Sequence, residues 1–210
     1  MSSPNRGQHG RAAAEELAPR QLPLLRSTYK MMGIRGVSQL PLQDVADDAG
    51  VSKALLLYHF KTRESLILAT LEWVLHRVAE RIRVEIAPIA TAEAKVERMI
   101  ETIFIRPDLN RHFYLVYADL LGQAARADAF SALANTFHDT VNQMYADVVL
   151  MGVREGVFPN RDPEAAAVAV RALIDGMFLQ WIIERDWQGT HARYRELCKQ
   201  SVLAYLRTSG

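Results

Sequence analysis

Apolar residues recur at three-to-four spacing along almost the whole chain after Pro19, and no run alternates strictly between apolar and polar as a half-buried strand would. The pattern predicts an all-α protein. Between Thr62 and Ile86, one stripe carries Ile67, Leu71, Val74, Val78, Ile82 and Ile86. Thr62 is placed to cap its start, Glu64 falls in its first turn, and Pro88 stops its end. That is one helix of roughly 35 Å at about 1.5 Å per residue, and a continuous one would act as a strut shared by two parts of the chain. A helix over Glu93 to Ile105 ends before Pro107, and the next carries Phe113, Tyr117, Leu120 and Ala124. A further stripe of Phe130, Leu133, Phe137, Val141, Met144, Val148 and Met151 has Gly152 and Gly156 near its C-terminus. Asp162-Pro163-Glu164 is a strong helix start: Asp accepts from free first-turn amides, Pro has none to leave unpaired, and Glu suits the positive dipole end. That helix runs to about Ile183, and an amphipathic one from Arg193 to Leu206 closes the chain.

From Leu40 to Phe60 the pattern changes to two short helices around a sharp turn at Gly50. Pro41 starts the first at its first helical position, and Leu42, Val45, Ala46 and Ala49 form its inward face. The small Ala46 lets the second helix approach, Gly50 supplies backbone freedom, and Ser52 caps the second helix, whose Leu56 and Phe60 pack inward with Val51. This is the spacing of a helix-turn-helix whose second helix projects into a DNA major groove.

Composition narrows the function classes. The chain has 210 residues, half of them hydrophobic, enough to bury a sizeable core. Its 25 basic and 24 acidic residues give no global attraction to nucleic acid, so a basic footprint must be local. One cysteine, Cys198, forbids an internal disulfide and suits a buried helical position. Residues 1–18 are polar and small, with Arg6, Arg11, Glu15 and Glu16, and read as a loose tail without a signal peptide. The apolar stretch Ala165 to Ile183 carries Arg171 and Asp175 near its centre, each costing roughly 2.5–3.5 kcal/mol in a bilayer. A buried helix explains it better than a membrane span, and the expected location is the cytoplasm. The six histidines, His9, His59, His76, His112, His138 and His191, show no ligand-type pairing, and there is no phosphate-cradling glycine loop. No metal, cofactor or enzymatic activity is expected.

The segment Gly50-Val51-Ser52-Lys53, Leu56, Tyr58-His59-Phe60-Lys61-Thr62-Arg63-Glu64 and Leu66 resembles the recognition helix and following helix of the tetracycline-repressor family. Leu24, Leu25, Tyr29, Met32 and Gly36 extend the resemblance upstream, so that it covers about residues 19–77. Gly156-Val157-Phe158, Asp162 to Ala166 and Asp175-Gly176 look like the family's C-terminal helices. The resemblance implies a DNA-binding domain over 19–78, an effector-binding and dimerisation domain over 79–210, and a regulator acting on double-stranded DNA. Repression is the commoner habit of the family. It places Gln43, Ser52, Lys53, Ala54, Leu55 and Leu57 toward the groove, and Tyr58, His59, Lys61, Thr62 and Arg63 on the DNA backbone, where the amides after Thr62 offer a helix N-terminus to phosphate. Lys53 can donate to guanine or phosphate, and Gln43 to a base edge or phosphate. Leu55 and Leu57 depart from the family's usual small polar residue and Tyr; either could touch a thymine methyl, or both could pack between helices. Asp47 and Asp48 oppose DNA locally and should face away.

In the C-terminal part, Trp73, Phe104, Phe113, Tyr114, Tyr117, Met144, Met177 and Trp181 supply large apolar surface, and Tyr114, Tyr117, Asp175 and Gln180 are the polar groups able to orient a ligand among them. In the family such residues line an effector cavity, which implies a mainly apolar small molecule. The helices from Glu164 and from Arg193 are the expected faces of a homodimer, whose two-fold symmetry predicts a palindromic operator. The alternative is an all-α ligand-binding or scaffold protein with a decayed helix-turn-helix.

Overall fold

The computed structural model describes residues 21–159 and 162–208, and among them all regular structure is α-helical. The expected tail over 1–18 lies outside the described residues. The contacts divide the chain between Arg77 and Val78 into two compact units.

The first unit holds α1 (Leu22–Arg35), α2 (Leu42–Ala49), α3 (Lys53–Phe60) and the start of α4 (Arg63–Ile86). Its core is drawn from all four helices: Leu25, Val45 and Leu56 are wholly buried, with Leu66, Ile67 and Leu71 beside them on α4. Each such side chain contributes on the order of 1.5–3 kcal/mol by leaving water. Pro41 stands just before α2, in an extended conformation, so the helix begins at Leu42 rather than at the proline. Gly50 takes a left-handed backbone (φ 67°, ψ 31°). There the amide of Val51 donates to the Ala46 carbonyl at 2.9 Å and that of Gly50 to Asp47 at 3.2 Å, the paired bonds of a Schellman end. An L side chain would be strained in this conformation, so glycine is required at the corner.

The second unit contains the rest of α4 from Val78, α5 (Ala92–Ile103), α6 (Pro107–Ala124), α7 (Asp128–Glu155), α8 (Pro163–Trp181) and α9 (Trp187–Arg207). Helix α8 packs against both α7 and α9, α6 packs on α7, and α5 meets α7 and α9. Phe104, Phe178 and Trp181 lie among the fully buried side chains. Asp162 caps α8 as its sequence predicts, accepting from the Glu164 amide at 3.1 Å. Helix α7 ends at Gly156 in another Schellman turn, which swings Phe158 back against Gly152; a β-carbon on Gly152 would stand 2.0 Å from the Phe158 ring. Two expected boundaries move. Helix α5 stops at Ile103, with Phe104 turned out of helical geometry. Helix α9 starts at Trp187 instead of Arg193, because Asp186 caps it by accepting from the Gly189 amide at 3.0 Å.

Candidate functional site

Helix α3 has a buried edge at Leu56 and Phe60 and an outward face at Ser52, Lys53, Ala54, Leu55 and Tyr58 that continues through Lys61 and Thr62. Ser52 caps the helix, its Oγ accepting from the Leu55 amide at 3.1 Å. Tyr58 is 70% exposed, and the Lys61 ammonium stands 5.1 Å from its ring centroid. Leu55 is exposed and Leu57 half-buried, which divides the two leucines between outward contact and packing. His59 is half-buried, edge-on to Tyr58.

The corner after α3 is tightly built. Lys61 has φ 61°, a value that side chains rarely adopt. Thr62 Oγ1 accepts from the Ser65 amide at 3.0 Å while Ser65 Oγ accepts from the Thr62 amide at 3.1 Å, a reciprocal capping box at the start of α4. Ser65 Oγ also reaches the Phe60 carbonyl.

Two expectations on this unit change. Arg63 is turned away from the phosphate-binding role and into the fold: its guanidinium donates to the carbonyls of Leu40, Val37 and Ser38 at 3.0, 2.8 and 2.6 Å, tying down the loop between α1 and α2. Asp47 is exposed and accepts from the Gln43 side-chain amide at 2.8 Å, because residues four apart share a helix face. Asp48 does face elsewhere, paired with Lys30 on α1. Trp73 belongs to this unit rather than to an effector cavity: its ring meets Tyr29 edge-on and lies under the Arg77 guanidinium.

The second unit brings together a group of aromatic rings and a polar cluster. Phe178 stacks between Phe104 and Tyr114, with centroids 4.1 and 3.8 Å away, and Phe113 stacks on Tyr117 at 5.7 Å. Tyr117 accepts from Arg171 Nη2 at 2.8 Å and lies 2.8 Å from His138 Nε2. An arginine can only donate, so the Tyr117 hydroxyl hydrogen is left for an acceptor, which suits a neutral His138 with a bare Nε2. Arg171 Nε is 3.4 Å from the Asp175 carboxylate, which also receives the Tyr114 hydroxyl at 3.5 Å. Burial raises the Tyr117 hydroxyl to about 12 and, with Asp175 nearby, moves Tyr114 in the same direction. Burial also lifts Asp175 above the usual carboxylate range against the pull of Arg171, and holds His138 below the usual histidine value, with Arg171 adding to that shift.

Of the residues expected at an effector cavity, Phe104, Phe113, Tyr114, Tyr117 and Asp175 join this cluster, and Met144 and Met177 are half-buried on the helices that carry it. Gln180 is exposed and drops out. Trp181 is wholly buried, donating from Nε1 to the Trp187 carbonyl at 2.7 Å, and so fastens the turn between α8 and α9. Sequence reasoning missed Arg171 and His138 as members of the site. The available clue was Arg171 four residues before Asp175 inside an otherwise apolar helix, a pair that must be answered by polar groups from elsewhere.

Among the described residues, no three histidine, cysteine or acidic side chains are grouped to hold a metal ion. None of the helices there is long and apolar enough to cross a membrane.

Residues 24–70 match the model of bacterial regulatory proteins of the tetR family, and residues 92–207 match that of the BetI-type transcriptional repressor C-terminal region. The HTH-type transcriptional regulator CymR of Pseudomonas putida is 27% identical over 148 residues, covering 68% of this chain and 69% of that protein. The regulator BetI of Rhizobium meliloti (strain 1021) is 22% identical over 191 residues, 91% of each. Among solved structures, a transcriptional regulator from Saccharomonospora viridis in complex with choline superposes with a TM-score of 0.82 at 23% identity, covering 90% of this chain and 98% of that one. A TetR regulator from Haloarcula marismortui gives 0.78 at 24% identity, with coverage of 90% and 97%. At these identities the two structures share the fold.

Proposed function

The chain belongs to the tetracycline-repressor family of DNA-binding transcriptional regulators, and from that we propose that it represses by holding a palindromic operator through α3 and lets go when a mainly apolar small molecule binds among the rings of the second unit. The observation that carries the reading is the outward face of α3, where Lys53, Leu55 and Tyr58 stand exposed on a capped helix that follows the Gly50 corner. Lys53 reads a guanine edge or a phosphate, Leu55 contacts a thymine methyl, and Tyr58 with Lys61 holds the backbone. The amides that open α4 favour the same phosphates. Gln43 reaches DNA by exchanging its bond to Asp47.

The protein works as a homodimer in the cytoplasm and carries out no catalytic step. Support for the dimer comes from α8 and α9, which leave Val168 58%, Leu179 44% and Leu197 38% exposed on helices otherwise committed to the core. The choline complex of the Saccharomonospora viridis regulator supports a small-molecule effector here. For release, that effector must bind the dimer with wrongly spaced recognition helices more tightly than the DNA-competent one, by a typical coupling of about 1–3 kcal/mol.

Operators selected from random duplexes, followed by mobility shifts at several salt concentrations, test the reading. Lys53→Ala should weaken the selected operator by about tenfold to a hundredfold, as loss of one base contact of about 1–3 kcal/mol requires. Binding that shows no preference over competitor DNA ends it.

A further inference from the structure

Arg171 is a charged side chain left incompletely answered inside an apolar unit. It is 8% exposed, and among the described residues the one close acceptor of its five N–H groups is the Tyr117 oxygen on Nη2. Among the described residues Nη1 finds no hydrogen-bond partner, while Nε faces the Asp175 carboxylate at ion-pair distance, 3.4 Å. One face of the guanidinium is covered by the Phe137 ring at 5.0 Å. Burying donors of a charged group without acceptors costs several kcal/mol in typical cases, and such a group persists where something else supplies the acceptor.

We infer that the effector of this protein is a small apolar carboxylate whose oxygen takes Arg171 Nη1 and whose body lies against the rings of Phe113, Tyr117 and Phe137. The inference rests on the effector reading above and narrows it to a chemical class. The geometry allows the carboxylate beside Asp175. In a planar guanidinium the Nε hydrogen shares an edge with Nη2, whereas the Nη1 hydrogens point along the other edge, away from the side that Asp175 occupies. The unanswered hydrogens on that side are those of Nη1. A quaternary ammonium at the same place would meet the guanidinium head-on with no acceptor to offer. A neutral amide would supply an oxygen without the charge that makes such bonds roughly twice as strong.

The test uses the full chain and no DNA, so its outcome is independent of operator binding. Benzoate, phenylpropanoate and octanoate are each compared with the matching carboxamide and trimethylammonium compound by thermal shift and by tryptophan fluorescence titration. At least one carboxylate should bind about tenfold more tightly than its amide, and the cations should be weakest. Arg171→Met should abolish the carboxylate preference, and because it also leaves Asp175 without its ion-pair partner it should lower the melting temperature of the free protein. Arg171→Lys should keep part of the preference. The inference is overturned if no carboxylate binds at millimolar concentration, if the cations bind best, or if Arg171→Met binds carboxylates as the parent does. It is also overturned if an ordered water answers Nη1, in which case the head-group order is absent. Should Arg171→Met fail to fold, the head-group order in the unaltered protein still decides.

Discussion

Arg63, the first residue of α4, donates through Nη2 to the carbonyl oxygen of Val37 at 2.8 Å, twenty-six residues earlier in the chain. With its bonds to Ser38 and Leu40, this makes one side chain the clasp of the loop that leads into the helix-turn-helix. A basic residue at this corner invites assignment to phosphate, but its Nε and Nη2 donate to the protein. Arg63→Ala should therefore lower stability by about 1.5–3 kcal/mol, the scale for hydrogen bonds to a charged group. Lys53→Ala should leave the melting temperature within error and change DNA affinity alone. Equal melting temperatures for Arg63→Ala and the parent would return Arg63 to the interface.

Lys61 bears two demands at once. Its backbone sits at φ 61° and its ammonium lies over Tyr58 on the outward face. Positive φ costs an L-residue roughly 1–2 kcal/mol, and glycine is free of that term. Lys61→Gly should gain part of it as raised thermal stability while losing operator affinity and reducing the salt slope by about one phosphate contact. Lys61→Ala should lose the affinity without gaining the stability. If glycine is no more stable than alanine at this position, the corner is not strained.

The sequence reveals what is set locally and hides what is set at a distance. The Gly50 corner, the Ser52 cap and the Asp162 start can all be read because each depends on residues within four positions of itself. The start of α9 could not be placed, since Trp187-Gln188-Gly189 shows no apolar stripe and its cap, Asp186, looks like any loop aspartate. The buried cluster of rings and polar groups was half legible. Tyr114, Tyr117 and Asp175 announce themselves as polar groups among rings. The partnership of Arg171 with Tyr117, 54 residues apart, and of Tyr117 with His138 is decided by how α6, α7 and α8 pack. Trp73 and Gln180 went astray for the same reason, because composition names a helix's residues without saying which face meets which neighbour.

Gly152 tests that packing directly. Replacing a helical glycine by alanine ordinarily stabilises by up to about 1 kcal/mol. Here the added carbon would stand 2.0 Å from Phe158 Cδ2, so Gly152→Ala should instead destabilise by about 1–3 kcal/mol through overpacking. Phe158→Ala is also destabilising alone, but the double variant should cost less than the sum, as a shared contact demands. Additive losses by denaturant melts would mean that Phe158 does not rest on Gly152.

His138 and His191 give the second unit a pH dependence of fixed sign. Burial holds both below the usual histidine value, with Arg171 adding to the shift of the first and Arg195 to that of the second. His191 is further tied to Asn110, whose Oδ1 lies 2.9 Å from its Nε2. The folded protein keeps both rings neutral over a range in which the unfolded chain, titrating near pH 6.5, already takes up protons. Their contribution is whole above about pH 6.5 and is lost as pH falls through the lower folded-state values. Asp175 acts oppositely: its raised value favours the fold below about pH 4 and loses that advantage as pH rises through the folded-state value. Melting temperature should therefore level off from about pH 7 upward and drop on the acid side, and His138→Gln or His191→Gln should each flatten the drop. Asp175→Asn should leave the histidine slope in place. Glutamine variants that keep the parent's slope would show that neither ring is held neutral by its burial.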